Sequence, residues 1–269
     1  MGSPLVSFVI PLYNYKKYIG YCIQSILNQD YDNLEIIVVD DFSTDSSVEK
    51  AKKFKDPRIQ IVELPKNQGY SVAKNTGIIK SNGELICILD ADDMLMPMSI
   101  SSRVRAMEEF KSMFVYANAI AVYDSISIES CYEINPKKLG LWTKKTHKKK
   151  KITLLRFPSP YNIHAQTVMV RREVYETFGL YDEKLKSRSD REMWWRFFGK
   201  ESGEKENISR YFLDYPVVYY RYHDKSMMRK RAKDKKYDRK VRQLCEHRYQ
   251  VRKDDGITTE NTKFLENRY

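Results

Sequence analysis

The sequence predicts a mostly parallel, doubly wound α/β sheet, and three observations lead to that fold class. Apolar, β-branched runs alternate with helically spaced segments over residues 5–110. Each early run empties into a polar loop, and two of those loops are acidic, Asp40-Asp41 and Asp90-Ala91-Asp92-Asp93. Neither G-x-G-x-x-G nor G-x-x-x-x-G-K occurs, so dinucleotide-dependent dehydrogenases and P-loop ATPases fit poorly.

Leu5 to Leu12, LVSFVIPL, reads as the first strand, with Pro11 near its end, where a missing N–H is tolerated. After Tyr13-Asn14-Tyr15, the segment from Lys16 to Gln29 places Tyr18, Ile19, Cys22, Ile23, Ile26 and Leu27 at helical spacing. Leu34 to Val39 is a second strand, Ser46 to Lys55 a helix capped by Ser43 or Asp45, and Ile59 to Leu64 a third strand. Asn67-Gln68-Gly69 turns into a helix from about Ser71 to Lys80, and Asn82-Gly83 turns into a strand from Leu85 to Leu89. Met96 to Phe110 reads as a helix and Met113 to Tyr123 as a strand.

Local information then thins. Ser125 to Ile163, with its lysine run, Trp142, Pro158 and Pro160, reads as a long variable connection. Thr167 to Val170 is a short strand, Arg172 to Phe178 a helix ended by Gly179, and Val217 to Tyr222 an aromatic strand. From Arg229 to Lys253, Tyr237, Val241, Leu244, Cys245 and Tyr249 make one apolar stripe, so a basic C-terminal helix is expected. These divisions give a first half over residues 1–98, a second half of the same domain over 99–222, and a basic tail over 223–269.

A chain of 269 residues that is 42% hydrophobic buries an enzyme-sized core. Cys22, Cys87, Cys131 and Cys245 have no paired spacing, which argues for reduced thiols rather than a zinc knuckle or a disulfide framework. No apolar run reaches the roughly 18 residues of a membrane span, so the expectation is a cytoplasmic chain, peripheral at most to a membrane surface. The net charge of +12 is local: residues 137–151 carry eight lysines and no acid, and residues 223–253 carry thirteen basic side chains against four acids. Such segments suit nucleic acid, an anionic membrane surface or an acidic acceptor, and equally a solvated loop and helix face.

In a doubly wound sheet, ligands bind beyond the carboxyl ends of the strands. The loops at Tyr13-Asn14, Asp40-Asp41, Asn67 to Gly69 and Asp90 to Asp93 therefore line one cleft. Asp90 and Asp92, two residues apart after a strand, can face the same side and hold one hard cation, Mn²⁺ or Mg²⁺, while leaving room for phosphate oxygens. Taken alone, the same acids serve equally as turn and helix-capping residues.

Three stretches in order, VSFVIPLYNYKKYIGYCIQSILNQDYDNLEIIVVDDFSTDSS, NQGYSVAKNTGI and GELICILDADD, resemble the N-terminal half of the family 2 inverting glycosyltransferases, which have the GT-A fold. Weaker similarity continues through TVMVRREVYETFGLYDEKL, DREMWWR and YRYH. The resemblance implies a metal-dependent transferase that moves a sugar from a UDP-sugar donor to a hydroxyl on a glycan, a lipid-linked glycan or a modified nucleic-acid base.

The resemblance also implies roles. Pro11, Tyr13 and Asp41 surround the nucleobase, with Asn67 in the same donor loop. Asp92 binds the metal, Asp90 contacts ribose or supports the ion, and His223 stands where some relatives place a metal ligand. Asp190 in SDREMWWR is the general base, with Glu192 as its rival if the register differs. Ser189 departs from the pattern, because the family usually has a second acid there. Other readings stay open at single positions: Tyr13 as a core aromatic, Asp41 as a turn acid, Asp190 as a helix cap, and His164 as a structural histidine. A noncatalytic nucleotide-sugar or nucleic-acid binding protein on the same scaffold, or a nucleotidyltransferase, are the alternative functions.

Overall fold

Strand β1, Val6–Leu12, is buried along its whole length near the middle of the sheet. A strand covered on both faces is apolar almost throughout, and here the exception, Ser7, donates its hydroxyl to Glu35 at 2.6 Å. The structure is a computed structural model that describes residues 2–124, 131, 152–157, 163–185, 188–198, 208–223 and 243.

The first half winds as expected. After β1 come α1 (Ile19–Leu27), β2 (Leu34–Asp40), α2 (Ser47–Ala51), β3 (Ile59–Glu63), α3 (Tyr70–Lys80) and β4 (Leu85–Ile88). β2 and β4 flank β1 in parallel, and β3 pairs in parallel with β2. Side chains alternate along β1: Phe8, Ile10 and Leu12 join a cluster with Ile23, Ile26 and Ile36, while Val9 joins Ile86, Phe114 and Trp194 on the other face. Burying each such side chain is worth about 1.5–3 kcal/mol. α3 lies close against β1 at Gly77, where an added Cβ would sit 2.1 Å from Cγ1 of Val9.

The second half is β5 (Met94–Leu95), α4 (Ser99–Glu109), β6 (Phe114–Tyr123), β7 (Ile152–Leu155), a 3-10 turn (Ala165–Thr167), β8 (Met169–Arg171), α5 (Arg172–Phe178), α6 (Ser189–Phe198) and β9 (Arg210–Tyr222). Among the described residues the sheet runs β3-β2-β1-β4-β8-β6-β9-β5, with β7 on β6. β8 joins the parallel half to the rest through antiparallel pairs with β4 and β6, and β6 and β9 run parallel. This is the mixed, mostly parallel α/β architecture of the GT-A fold.

The differences from the expected elements are local. Met96, expected to open a helix, donates its N–H to Val217 at 2.9 Å, so α4 starts later, at Ser99. β7 falls inside what reads as a loop, because its partners lie on β6. β9 begins at Arg210 rather than Val217, and its register against β6 shifts on either side of Asn118, which faces Pro216. Proline has no N–H for the ladder, so a bulge fits there. The lysine-rich segment 137–151 and the tail 224–269, Gln243 excepted, lie outside the described residues. No described helix is long and apolar enough to cross a membrane.

Candidate active site

The loops after β1 and β2 are sewn together by one asparagine. Asn14 adopts φ +58°, a conformation its short polar side chain tolerates. Its Oδ1 accepts the N–H groups of Thr44 (2.8 Å) and Asp45 (3.2 Å), and its own N–H donates to Ser43 Oγ at 3.0 Å. The N-cap of α2 is Ser46 rather than Ser43 or Asp45; Asp45 accepts the Ser47 N–H at 3.0 Å, and Ser43 is engaged with Asn14 and Asp40.

Asp41 is buried, and its carboxylate accepts the N–H of Gln68 at 2.6 Å and of Gly69 at 2.8 Å. Gly69 has φ +101°, which suits glycine. Asn67 Nδ2 donates to the Asp41 carbonyl at 3.2 Å. Asp41 thus ties the end of β2 to the start of α3, and each of its oxygens keeps a second lone pair for another donor. Pro11 is buried opposite Val39, and Tyr13, just beyond β1, is 45% exposed. The structure therefore brings Pro11, Tyr13, Asp41 and Asn67 to one corner of the sheet edge.

The acids after β4 form a compact cluster. Strand pairing stops at Ile88, and the Asp93 N–H donates to the Asp90 carbonyl at 3.0 Å, so a turn rather than strand alternation gathers them. Oxygens of Asp90, Asp92 and Asp93 lie within 4.8 Å of one another. Asp90 accepts Tyr70 OH and Gln166 Nε2, both at 2.5 Å. Asp92 Oδ2 lies 2.8 Å from His223 Nε2. Asp93 accepts the Arg221 N–H at 2.8 Å on Oδ1, while its buried Oδ2 has no hydrogen-bond partner.

These acids are more enclosed than a water-facing strand end suggests: Asp92 is 8% and Asp93 1% exposed. Burial, followed by the neighbouring Asp92 charge, pushes Asp90 up to about 7, and burial pushes Asp93 well above the carboxylate range. Three crowded carboxylates cannot all stay ionised without a cation. An all-oxygen donor set with one orphaned buried oxygen suits a hard divalent ion such as Mg²⁺ or Mn²⁺. Asp90, Asp92 and Asp93 could hold it, and His223, bonded to Asp92, is placed to orient that carboxylate.

Asp190 lies in the first turn of α6, with its side chain 27% exposed and Oδ1 2.8 Å from Lys74 Nζ. Glu192 is 2% exposed and ion-paired at 3.0 Å with Arg196. Arg196 also donates to the carbonyls of Phe178 (2.5 Å), Gly179 (3.2 Å) and Leu180 (2.7 Å), so Glu192 and Arg196 fasten α6 to the turn after α5. That leaves Asp190 as the accessible acid of this helix. Burial pushes His164 down to about 4, and its ring packs 4.5 Å from that of Tyr220, which keeps a structural role for it.

Sequence reasoning missed Tyr70, Lys74, Asp93 and Gln166. Tyr70 and Lys74 are one helical turn apart just after the donor loop, a spacing that places both on one face and was the available signal. Gln166 and Arg221 reach the site only through tertiary contact, with Arg221 Nε donating to the Asp92 carbonyl at 3.1 Å.

The family model described as glycosyl transferase family 2 matches residues 7–179. An uncharacterised glycosyltransferase of Rickettsia prowazekii is 30% identical over 221 residues, covering 80% of this chain and 63% of that protein. Staphylococcus aureus TarS 1–349 in complex with UDP-GlcNAc superposes with TM-score 0.63 at 20% identity, over 83% of this chain and 60% of that one. The Pyrobaculum calidifontis mannosyltransferase PcManGT, in complex with GDP-Man and Mn²⁺, gives TM-score 0.62 at 18% identity, over 90% and 65% of the two chains. The chain thus spans less than two thirds of each of these proteins.

Proposed function

The chain belongs to glycosyl transferase family 2, and from that membership we propose that it transfers a sugar, with inversion, from a UDP-sugar to an acceptor hydroxyl on a glycan or lipid-linked glycan. The observation that supports this best is the convergence of the acid cluster after β4 and the accessible Asp190 of α6, both in contact with residues of α3. Residues 1–98 are then the donor half and residues 99–222 the acceptor half.

In this reading Tyr13 packs against the base, and Asp41, held in place by two backbone N–H groups, accepts the uracil N–H. Asp90, Asp92 and Asp93 would hold Mn²⁺ or Mg²⁺, with His223 beside Asp92 as a further candidate ligand; when bound, the ion would offset negative charge on the departing diphosphate. Asp190 takes the proton from the acceptor hydroxyl as that oxygen attacks the anomeric carbon opposite the diphosphate. The bond from the anomeric carbon to the donor oxygen breaks with its electron pair going to UDP, and the new glycosidic bond has the opposite configuration. PcManGT was captured with Mn²⁺ and TarS with a UDP-sugar, which supports both components.

The test is a donor screen with UDP-sugars and GDP-Man, each with and without Mn²⁺. Release of UDP that depends on the metal supports the reading; binding without turnover of any donor points to a noncatalytic binder.

A further inference from the structure

Lys74 is a fully buried charge that the proposed mechanism does not yet use. It is 0% exposed, and its ammonium sits 3.4 Å from the centroid of the Tyr181 ring and 4.3 Å from that of Tyr70. Such faces replace part of the lost hydration by attraction to the ring quadrupole. Its polar contacts are Asp190 Oδ1 at 2.8 Å and Ser189 Oγ at 3.1 Å. Burial lowers the proton affinity of Lys74, and the Asp190 charge opposes that.

The surrounding bonds show what the box is fixed to. Ser71 donates to the Leu185 carbonyl at 3.4 Å. Asn75 donates to the Tyr181 carbonyl at 2.8 Å and to Glu183 at 2.9 Å, and accepts the Tyr181 N–H at 2.9 Å. Successive residues of α3 therefore grip the segment that leads into α6, and Tyr70 at the start of α3 grips Asp90. Helix α3 is a shared frame for the acid cluster and for Asp190.

We propose that Lys74 is a positioning residue for the base: by fixing Oδ1 of Asp190 it leaves Oδ2 to face the acceptor hydroxyl. This rests on the function proposed above. A carboxylate with one oxygen pinned loses the rotation that would carry the other away from a reacting proton, and misplacement by about 1 Å can cost about 100-fold in rate. Ser189 fits the arrangement. With an acid at that position, two carboxylates would compete for one ammonium; a hydroxyl accepts its second hydrogen bond without doing so.

The test compares wild type, Lys74→Met, Asp190→Asn and the double variant in a transfer assay, with UDP affinity measured by calorimetry. Lys74→Met is expected to lower kcat about 10- to 100-fold while the donor KM and UDP affinity stay within about threefold. Added to Asp190→Asn it is expected to change the residual kcat less than twofold, because it acts through that carboxylate. A tenfold rise in donor KM with kcat preserved would make Lys74 a donor contact and overturn the proposal, as would full additivity in the double variant. Should Lys74→Met not fold, Lys74→Gln is read by the same criteria, and loss of the fold in both overturns positioning in favour of a purely structural role. Absence of transfer by wild type with every donor counts against the proposed function instead, whereas wild-type turnover with an unchanged kcat in Lys74→Met removes only the positioning role.

Discussion

Asp92 and His223 are 131 residues apart in sequence, yet Oδ2 of one lies 2.8 Å from Nε2 of the other. The contact closes the far end of the sheet over the acid cluster, since His223 directly follows β9.

Asp92→Asn is expected to lower Mn²⁺-dependent turnover at least about 100-fold while removing one charge from a crowded group of acids. The metal-free melting temperature should hold or rise, and the gain on adding Mn²⁺ should shrink. Turnover and Mn²⁺ response equal to wild type would remove Asp92 from the metal site.

Glu192 and Arg196 make the opposite kind of pair. Arg196→Met removes the ion pair of a buried carboxylate and releases the three carbonyls that Arg196 serves, so urea unfolding should show a loss of about 3–5 kcal/mol. Glu192→Gln should cost stability and leave kcat within a few-fold of wild type for whatever fraction stays folded. A rate collapse in a fully folded Glu192→Gln would move the base to Glu192.

Metal-free stability should carry a pH signature of the acid cluster. Asp90 is raised to about 7 in the folded chain, so the fold binds this proton more tightly than the unfolded chain does. The resulting stabilisation is complete below the unfolded value of about 4 and is lost as pH climbs through 7. In EDTA, the melting temperature of Asp90→Asn minus that of wild type should therefore increase between about pH 5 and pH 8. A difference that shrinks over that range contradicts the burial seen here.

How much could be read beforehand divides along the sheet. β1 to β4 and the helices between them were legible because each strand is a continuous apolar run and each helix has its own period. β5 has two residues and β7 four, and both exist because β9 and β6 offer backbone partners, which no local pattern records. The acid motif is legible in the sequence, but the role of Asp93 in it is not: its bond to the Arg221 N–H and the burial of its Oδ2 come from tertiary structure. Nothing in the local sequence marks Lys74; its two tyrosine walls and Asp190 come together only in the fold.

On the function proposed above, Asp41 and Tyr13 form the nucleobase corner. The Asp41 carboxylate, held by the Gln68 and Gly69 N–H groups, can accept an N–H from uracil or from guanine; the UDP-sugar reading proposed above, rather than this contact by itself, predicts that UDP binds more tightly than GDP by calorimetry. Tighter binding of GDP, the nucleotide of the PcManGT donor, would reassign this corner.

The most direct measurement is steady-state transfer by Asp190→Asn against wild type, with UDP affinity and melting temperature recorded on the same samples. Asparagine caps a helix almost as well as aspartate, so a mere cap predicts almost no change in kcat. As the general base, Asp190→Asn is expected to keep its UDP affinity while kcat falls by about two to four orders of magnitude; its melting temperature is expected to fall, because the buried Lys74 ammonium loses its charge partner. Transfer within a few-fold of wild type in that variant would contradict the assignment of Asp190 as the base.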